Sequence, residues 1–187
     1  TAYEIYQCDW SSDVCSSDLA GGGGYHPVMT ITSAPRSAGI QAGPVRVGMF
    51  GLGTVGGGVA RLLLERGEAI AREVGRPIEL RRVVVRDLAK ARDIALPDGI
   101  LSDDPSTILD DPEIDLVVEV MGGIRPTGEW LRQAIRSGKH IVTANKDLVA
   151  TEGAELLRLA ASHGVDVAYE ASVGGGIPLI GVFRQDL

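Results

Sequence analysis

The sequence is poor in aromatic residues and in cysteine, yet it has enough apolar material for a core. Aromatic side chains make up 4% of the 187 residues, whereas apolar types together make up 44%. Both cysteines, Cys8 and Cys15, lie within the first 19 residues. A disulfide or a Cys-x6-Cys metal site would therefore depend wholly on that segment.

Those first 19 residues resemble a translated sequencing-library index adapter, most clearly in the run D-W-S-S-D-V-C-S-S-D-L. A segment of that origin would not belong to the folded domain. They carry four acidic residues and no lysine or arginine, so the formal charge is −7 for the whole chain but −3 without them. Such a mildly acidic remainder argues against a nucleic-acid-binding surface.

The sequence also lacks a long apolar run and a secretory N-terminal pattern. No stretch reaches the roughly 20 apolar residues that a membrane helix needs, and no basic segment precedes a short apolar one. We therefore expect a cytoplasmic protein with no membrane partner. Residues 20–44 are rich in glycine and proline without any periodicity, which predicts a flexible lead-in before a domain that starts at Val45.

Apolar runs and helical patterns alternate along the rest of the chain. Five runs have the composition of strands: 45–50, 78–85, 116–120, 140–143 and 165–169. Helical patterns at 59–73, 127–137 and 153–162 lie between them, with Gly75, Gly138 and Gly164 as their stops. This order predicts an α/β fold of the Rossmann type, a doubly wound parallel sheet with helices on both faces.

The glycine-rich stretch G-L-G-T-V-G at 51–56 lies directly between the first strand and the first helix. In a dinucleotide-binding turn, Gly51 permits the tight turn, Gly53 lets the backbone approach a pyrophosphate, and Gly56 allows close helix–strand packing. The phosphates then lie at the helix N-terminus, which favours anions. The other residues predicted to line the cofactor here are Leu52, Thr54 and Val55. The alternative is a strand–helix connection without a ligand.

Arg86 and Asp87 follow the second strand directly. An acid at that strand end accepts the ribose 2′-hydroxyl of NAD, whereas an arginine pairs with the 2′-phosphate of NADP. Lys90 and Arg92 follow shortly after, so residues 86–92 contain three cationic side chains and one carboxylate. That balance favours NADP, or use of both dinucleotides. The alternative is a solvated basic turn.

Two later strand ends are also predicted to face the cofactor. Gly122 lies in M-G-G after the third predicted strand, where it either lets the backbone approach the cofactor or merely forms a turn. Lys146 closes T-A-N-K after the fourth, at the nicotinamide end of the crevice. A fixed cation there can hold a substrate oxygen or assist proton transfer. The alternative for Lys146 is a solvated lysine that opens the next helix.

Three further residues are predicted to be structural. Trp130 shares a helical face with Leu131 and Ala134, which indicates core packing rather than a platform for a ligand. His140 begins a buried strand. His163 ends a helix, where a cation is favoured.

Four segments, taken together and in order, resemble the homoserine dehydrogenases. They are G-L-G-T-V-G-G-G-V at 51–59, V-E-V-M-G-G at 118–123, G-K-H-I-V-T-A-N-K at 138–146 and Y-E-A-S-V-G-G-G-I-P at 169–178. The resemblance is to the N-terminal NAD(P)-binding domain of that family and covers residues 45–187. It implies reversible hydride transfer between L-homoserine and L-aspartate 4-semialdehyde with NAD or NADP, a step toward threonine, methionine and isoleucine.

The resemblance also implies roles for particular residues. The lysine of T-A-N-K, here Lys146, is catalytic in the family and reaches the cofactor. The Y-E-A-S-V segment binds a sodium ion, which implies Glu170 and the main chain of Val173, Gly175 and Ile177 as ligands. Such oxygen ligands suit a hard cation. The alternative is that Glu170 only anchors the hinge between domains.

Members of the family continue beyond G-I-P into a substrate-binding and dimerising domain. The resemblance therefore implies that 45–170 is the dinucleotide-binding domain, that 171–187 begins a truncated substrate domain, and that the catalytic and dimerisation domain is missing. We expect the chain to bind nucleotide but to turn over homoserine poorly, and its full-length parent to be a homo-oligomer. Two alternatives remain: a stand-alone NAD(P)-sensing module, and another semialdehyde or hydroxy-acid dehydrogenase.

Overall fold

Residues 43–174, the part of the chain that the computed structural model describes, form a six-stranded parallel sheet with helices packed against it. The strands are β1 (Val45–Phe50), β2 (Ile78–Val84), β3 (Leu101–Ser102), β4 (Leu116–Glu119), β5 (His140–Thr143) and β6 (Val167–Ala168). The helices are α1 (Thr54–Val74), α2 (Ser106–Leu109), α3 (Thr127–Arg136) and α4 (Lys146–His163), and a 3-10 turn follows at Glu170–Ser172.

The strand order is β3-β2-β1-β4-β5-β6, and every pairing is parallel. The chain moves outward from β1 through β2 and β3, and then returns to the other side of β1 to form β4. The order therefore reverses between β1 and β4. In doubly wound sheets the ligand crevice lies at this reversal, beyond the carboxyl ends of the strands. The predicted fold class is confirmed.

Each face of the sheet has its own core, because side chains alternate along every strand. Met49 and Val118 belong to the core on the α1 side. Phe50 and Val117 belong to the core that α3 and α4 complete. Burial on both faces explains the nearly continuous apolar runs in the sequence. The ring of Trp130 lies 5.1 Å from that of Phe50, which confirms that Trp130 packs against the core.

Helix α1 is attached to the sheet mainly through its first turns. Its only buried residues are Gly56 and Ala60. Helical geometry is interrupted at Arg66, where φ is −119°. The helix ends at Gly75, whose φ of 80° is in the left-handed region, as its place after the last helical residue predicts.

Several predictions about the elements were wrong: α1 begins at Thr54 and not at residue 59, and the short helix α2 was not predicted. The described residues contain six strands rather than five, because Leu101–Ser102 pairs with Val83 and Val84 at the edge of the sheet. Helix α4 begins at Lys146 and not near residue 153. The earlier start arises because the side chain of Asn145 caps the helix by accepting a hydrogen bond from the Leu148 N–H at 3.1 Å.

Within residues 43–174 no helix combines the length and the apolar character required to cross a membrane. The predicted lead-in up to residue 42 and most of the predicted substrate-domain segment, from residue 175 onward, lie outside the described residues. The domain boundary near residue 170 therefore stays a prediction.

Candidate functional site

Gly51 brings the end of β1 against the end of β4 at the point where the strand order reverses. Its φ of 100° suits glycine, and its N–H donates a hydrogen bond of 2.9 Å to the Val84 carbonyl. A Cβ on Gly51 would lie 3.0 Å from the Cα of Met121. The two strand ends are thus close enough to form the floor of one crevice.

Gly56 brings the first turn of α1 equally close to this floor. A Cβ added to Gly56 would overlap the Gly51 carbonyl oxygen and would lie 3.1 Å from Cγ2 of Val120. Nothing in the described part of the chain lies within 4 Å of a Cβ built on Gly53. Gly56 is therefore required for packing, whereas Gly53 leaves open space in front of the backbone.

No side chain caps the N-terminus of α1, where Gly53 is the N-cap residue. The first turn also contains no acidic residue. The exposed positions Thr54 and Val55 and the half-buried Leu52 line the same turn. Uncapped N–H groups and the positive end of the helix dipole favour an anion. The turn thus has the shape and the polarity that a pyrophosphate requires.

The segment after β2 is folded onto itself by Arg92 and Asp87. Arg92 donates to the carbonyl oxygens of Lys90 at 2.7 Å and of Asp87, while the Asp87 carboxylate accepts from the Ala89 N–H at 2.9 Å. Arg86 is exposed and makes no hydrogen bond or ion pair with any described residue. Of the three cations predicted to favour a 2′-phosphate, Arg92 therefore bonds to its own loop, whereas the exposed side chains of Arg86 and Lys90 remain available.

An open pocket of about 340 Å³ adjoins this segment. Its lining residues, which run from Arg92 to the start of β3, are Arg92, Ile94, Leu96, Pro97, Asp98, Gly99 and Leu101. The pocket lies on the β2–β3 side of the sheet, and its lining includes neither the glycine turn nor Arg86.

Gly122 forms a turn after β4, with φ of 76°. Its N–H donates to the carboxylate of Glu119 at 3.0 Å, and its carbonyl accepts from Oγ1 of Thr127 at 3.1 Å. No described atom lies within 4 Å of a Cβ built on Gly122. Gly122 therefore forms the turn that was one of the two alternatives, and its approach to a cofactor stays a prediction.

Lys146 is the first residue of α4 and is exposed. Its ammonium makes no hydrogen bond or ion pair with the described residues. It follows the carboxyl end of β5, the neighbour of β4 in the sheet. Lys146 is thus the first residue of a helix, which was one of the two alternatives for it. It lies at the edge of the sheet where a dinucleotide would bind.

Glu119 is the main residue of this edge that the sequence did not reveal. It is the last residue of β4 and is completely buried, and its carboxylate accepts from Oγ1 of Thr143 at 2.6 Å as well as from the turn that follows β4. The available signal was an acid at the end of the apolar run L-V-V-E, since a charged side chain is rarely buried without partners.

The predicted sodium ligands are only partly within the described residues. Glu170 begins the 3-10 turn, and Val173 follows it. Oγ of Ser172 donates to the Thr143 carbonyl at 2.9 Å, which ties this turn to the end of β5. Gly175 and Ile177 lie outside the described residues. In the described range, no group of three or more histidine, cysteine, aspartate and glutamate side chains could hold a metal.

Both histidines predicted to be structural bond to nearby backbone. Nδ1 of His140 accepts from the Asp166 N–H at 3.1 Å. Nδ1 of His163, in the last turn of α4, lies 3.0 Å from the Leu159 carbonyl oxygen.

A separate charged cluster binds the amino ends of the strands together. Nε of Arg81 donates to Asp111 at 2.8 Å, and the buried Lys139 donates to the carbonyl oxygens of Ile114 at 3.2 Å and of Asp111. Burial lowers the pKa of Lys139, although nearby aspartates oppose this. Because it lies at the opposite edge from the glycine turn, we assign this cluster a structural role.

Comparison with known proteins gives a consistent result. A family model described as "Homoserine dehydrogenase, NAD binding domain" matches residues 51–170. A homoserine dehydrogenase of Bacillus subtilis is 44% identical over 143 residues, which cover 76% of this chain and 33% of that protein. One from Corynebacterium glutamicum is 41% identical over 162 residues, with coverages of 85% and 36%.

Among solved structures, a homoserine dehydrogenase from Thiobacillus denitrificans superposes with a TM-score of 0.71 at 49% identity. The match covers 77% of this chain and 33% of that one. The chain spans about a third of the length of the curated relatives it matches.

Proposed function

The chain belongs to the family of homoserine dehydrogenase NAD-binding domains, and on that basis we propose that it binds NAD or NADP across the carboxyl ends of β1 and β4. The observation that carries this proposal is the close approach of Gly56 to Gly51 beside an uncapped α1. That arrangement leaves backbone N–H groups facing open space at the reversal of strand order, where a pyrophosphate binds in this type of sheet.

We assign the two halves of the cofactor to opposite sides of this reversal. The adenosine half lies toward β2, because the residues that recognise the ribose follow that strand in such folds. The nicotinamide half then lies toward β4 and β5, near Gly122 and Lys146. The residues proposed to contact the cofactor are Gly51, Leu52, Gly53, Thr54, Val55, Gly56, Arg86, Gly122 and Lys146.

Arg86 is the residue that we propose to favour NADP. Its guanidinium is exposed directly after β2 and has no partner in the described part of the chain. A guanidinium binds a phosphate through two parallel hydrogen bonds. Asp87 lies beside it with one carboxylate oxygen engaged by Ala89, so binding of NAD through the ribose hydroxyl is also compatible with this loop.

For the whole protein we propose reversible oxidation of L-homoserine to L-aspartate 4-semialdehyde. When bound, the nicotinamide cofactor supplies or accepts the hydride. In the reduction, the Lys146 ammonium would hold the carbonyl oxygen and give it a proton as the hydride arrives; in the oxidation, the neutral Lys146 amine would take the proton of the hydroxyl. Because the chain spans about a third of its relatives, orientation of the substrate requires residues beyond these 187 in our proposal.

We further propose a sodium site formed by Glu170 and by main-chain oxygens of Val173, Gly175 and Ile177. The support for it is the chemistry of the donors, since carboxylate and carbonyl oxygens suit a hard monovalent or divalent cation. The test is a sodium titration of the chain and of E170A in which the ²³Na NMR line width is measured. Line widths that do not change when the chain is added would exclude the site.

We also propose a cytoplasmic homo-oligomer for the whole protein.

Binding of the cofactor is tested by titrating the 187-residue chain with NADH and NADPH and following nicotinamide fluorescence. We expect saturable binding of at least one dinucleotide, and absence of binding to both would overturn the proposal.

The reaction is tested in a chimera in which residues 45–170 replace the corresponding domain of the Bacillus subtilis relative. We expect homoserine-dependent reduction of the dinucleotide, and in its K146M variant loss of turnover while the adenosine-diphosphate half of the dinucleotide is still bound. A chimera that binds dinucleotide without any turnover would contradict the proposed reaction and favour a nucleotide-sensing module.

A further inference from the structure

Most of the buried polar side chains of the described residues lie in one network at the carboxyl edge of the sheet. Six polar or charged residues are buried within residues 43–174, and all of them except Lys139 take part. The members are Glu119, Thr127, Thr143, Asn145 and Ser172.

Glu119 is at the centre of this network. One carboxylate oxygen accepts from the N–H groups of Met121 and Gly122, at 2.9 and 3.0 Å, and the other accepts from Oγ1 of Thr143 at 2.6 Å. A carboxylate buried without partners is strongly destabilising, so three donors on two oxygens are what makes this position tolerable. The same bonds fix the backbone of the turn after β4.

Thr143 extends the network from Glu119 to the start of α4. While its hydroxyl donates to Glu119, its oxygen accepts from the Asn145 N–H at 3.0 Å. Asn145 then uses both ends of its amide: Oδ1 caps α4 at the Leu148 N–H, and Nδ2 donates to the Gly123 carbonyl at 2.6 Å. Lys146 follows directly. The path therefore returns from the start of α4 to the turn after β4 and forms a closed ring.

This ring joins the two segments that we placed on the nicotinamide side of the crevice. The strands alone pair Glu119 with Thr143 and stop there. Beyond that pair, one backbone hydrogen bond joins the two segments, from the Ala144 N–H to the Glu119 carbonyl at 3.1 Å. The side chains of Glu119, Thr143 and Asn145 add the other hydrogen bonds between them. Networks of this kind restrict motion more than the same bonds would separately.

We propose that Glu119 is a positioning residue that acts through Thr143 to hold Lys146 and the Met121–Gly122 turn at one fixed separation around the nicotinamide half of a bound dinucleotide. This inference rests on the proposed function. It predicts that breaking the ring weakens recognition of the nicotinamide half while leaving recognition of the adenosine-diphosphate half intact.

Substitutions at Thr143 test the ring with little change of shape. T143V removes both the hydroxyl that Glu119 accepts and the oxygen that binds the Asn145 N–H, whereas T143S keeps both. T151V is the matched control, because Oγ1 of Thr151 donates only to carbonyls within α4, 2.7 Å from that of Asp147, and lies outside the ring. E119Q is the second variant, since it keeps the shape of the side chain but replaces one acceptor by a donor.

Two ligands separate positioning from general damage to the fold. The first is the reduced dinucleotide that the parent chain binds more tightly, and the second is the matching ADP-ribose or 2′-phospho-ADP-ribose, which lacks the nicotinamide. We expect T143V and E119Q to bind the dinucleotide about tenfold more weakly and to lose the nicotinamide fluorescence change, while ADP-ribose affinity stays within about twofold. T143S and T151V should match the parent with both ligands.

The inference is overturned if T143V or E119Q binds the dinucleotide as the parent does, or if either loses affinity for both ligands equally, which is the result of a merely structural role. Failure of T143S to restore the parent's values also overturns it. In each of these results the parent still binds dinucleotide and the proposed function stands. If the parent chain binds neither ligand, the proposed function falls, and the inference falls with it.

Discussion

The α-carbon of Gly56 packs so closely on Gly51 that a Cβ would lie 3.0 Å from the Gly51 carbonyl carbon and overlap its oxygen. We therefore expect G56A to push α1 away from the end of β1. The Gly51 side of this contact is main chain, which cannot rotate away as a side chain could. The free energy of unfolding should therefore fall by about 1–3 kcal/mol, and dinucleotide binding should be lost with it. Urea unfolding and fluorescence titration measure the two effects.

The control for G56A is G67A, in the same helix. No described atom lies within 4 Å of a Cβ at Gly67, so alanine should raise stability by about 0.5–1 kcal/mol through its helix propensity and leave binding unchanged. Unchanged stability of G56A would show that the turn makes room for a methyl group, and the close contact with Gly51 would then not explain the glycine at position 56.

G53A is expected to separate ligand approach from folding. The backbone of Gly53 is extended, with φ of −84°, and the space where its Cβ would lie is open, so the variant should fold as stably as the parent. That space is where we place the pyrophosphate. Affinity for dinucleotide should therefore drop by about tenfold or more, since uncapped N–H groups would lose close contact with the anion. Unchanged affinity in a calorimetric titration would place the phosphates elsewhere.

R86A is expected to distinguish the two dinucleotides. Loss of a guanidinium that pairs with the 2′-phosphate should weaken NADPH about tenfold and leave NADH almost unchanged. R92A provides the contrast, because Arg92 holds the carbonyls of its own loop and its loss should affect both ligands alike. If R86A binds NADPH as tightly as the parent does, Arg86 has no role in selecting the phosphate.

Asp111 should make the fold sensitive to acid. Burial acts to raise the pKa of Asp111, but the hydrogen bond from Arg81, with further help from the Glu113 N–H and the charges of Arg81 and Lys139, lowers it below its ordinary value. A carboxyl whose pKa is lower in the folded state stabilises the fold above its unfolded pKa and loses that contribution as the pH falls through the folded pKa. The loss should begin below about pH 4.

D111N should therefore be less stable than the parent near neutral pH and should lose less stability between pH 4 and lower values. Urea unfolding at a series of pH values measures the slope of the free energy of unfolding against pH for D111N and for the parent. D103N is the control, because Asp103 is exposed and bonds to no described side chain, and its slope should match the parent's. Equal slopes for D111N and the parent would exclude Asp111 as a source of acid sensitivity.

The elements that could be predicted from the sequence are those whose signals are local. The apolar run at 140–143 ends at a polar T-A-N-K segment, and β5 has those same bounds. Helices α1 and α4 stop at Gly75 and Gly164, where only glycine adopts the left-handed backbone at low cost. The Gly51–Gly56 turn was recognisable because its spacing is fixed by the geometry of a strand followed by a helix.

The elements that the sequence did not predict depend on tertiary context. Strand β3 is two residues long and exists because β2 offers Val83 and Val84 as partners at the edge of the sheet. The early start of α4 has a local signal, the asparagine at capping position 145, but the apolar helical spacing begins only near residue 153. The role of Glu119 depends on β4 and β5 being neighbours in the register that places it opposite Thr143, which the order of the chain alone does not determine.

Helix α1 carries its two buried residues, Gly56 and Ala60, in its first two turns, and its geometry is interrupted at Arg66. Local opening is cheapest where the fewest buried contacts must be broken. The hydrogen-bonded backbone amides beyond Arg66 should therefore exchange their hydrogens with solvent faster than the hydrogen-bonded amides between Gly57 and Arg66. The helix would melt from its far end, so the turn that faces the coenzyme would be the last of its residues to open.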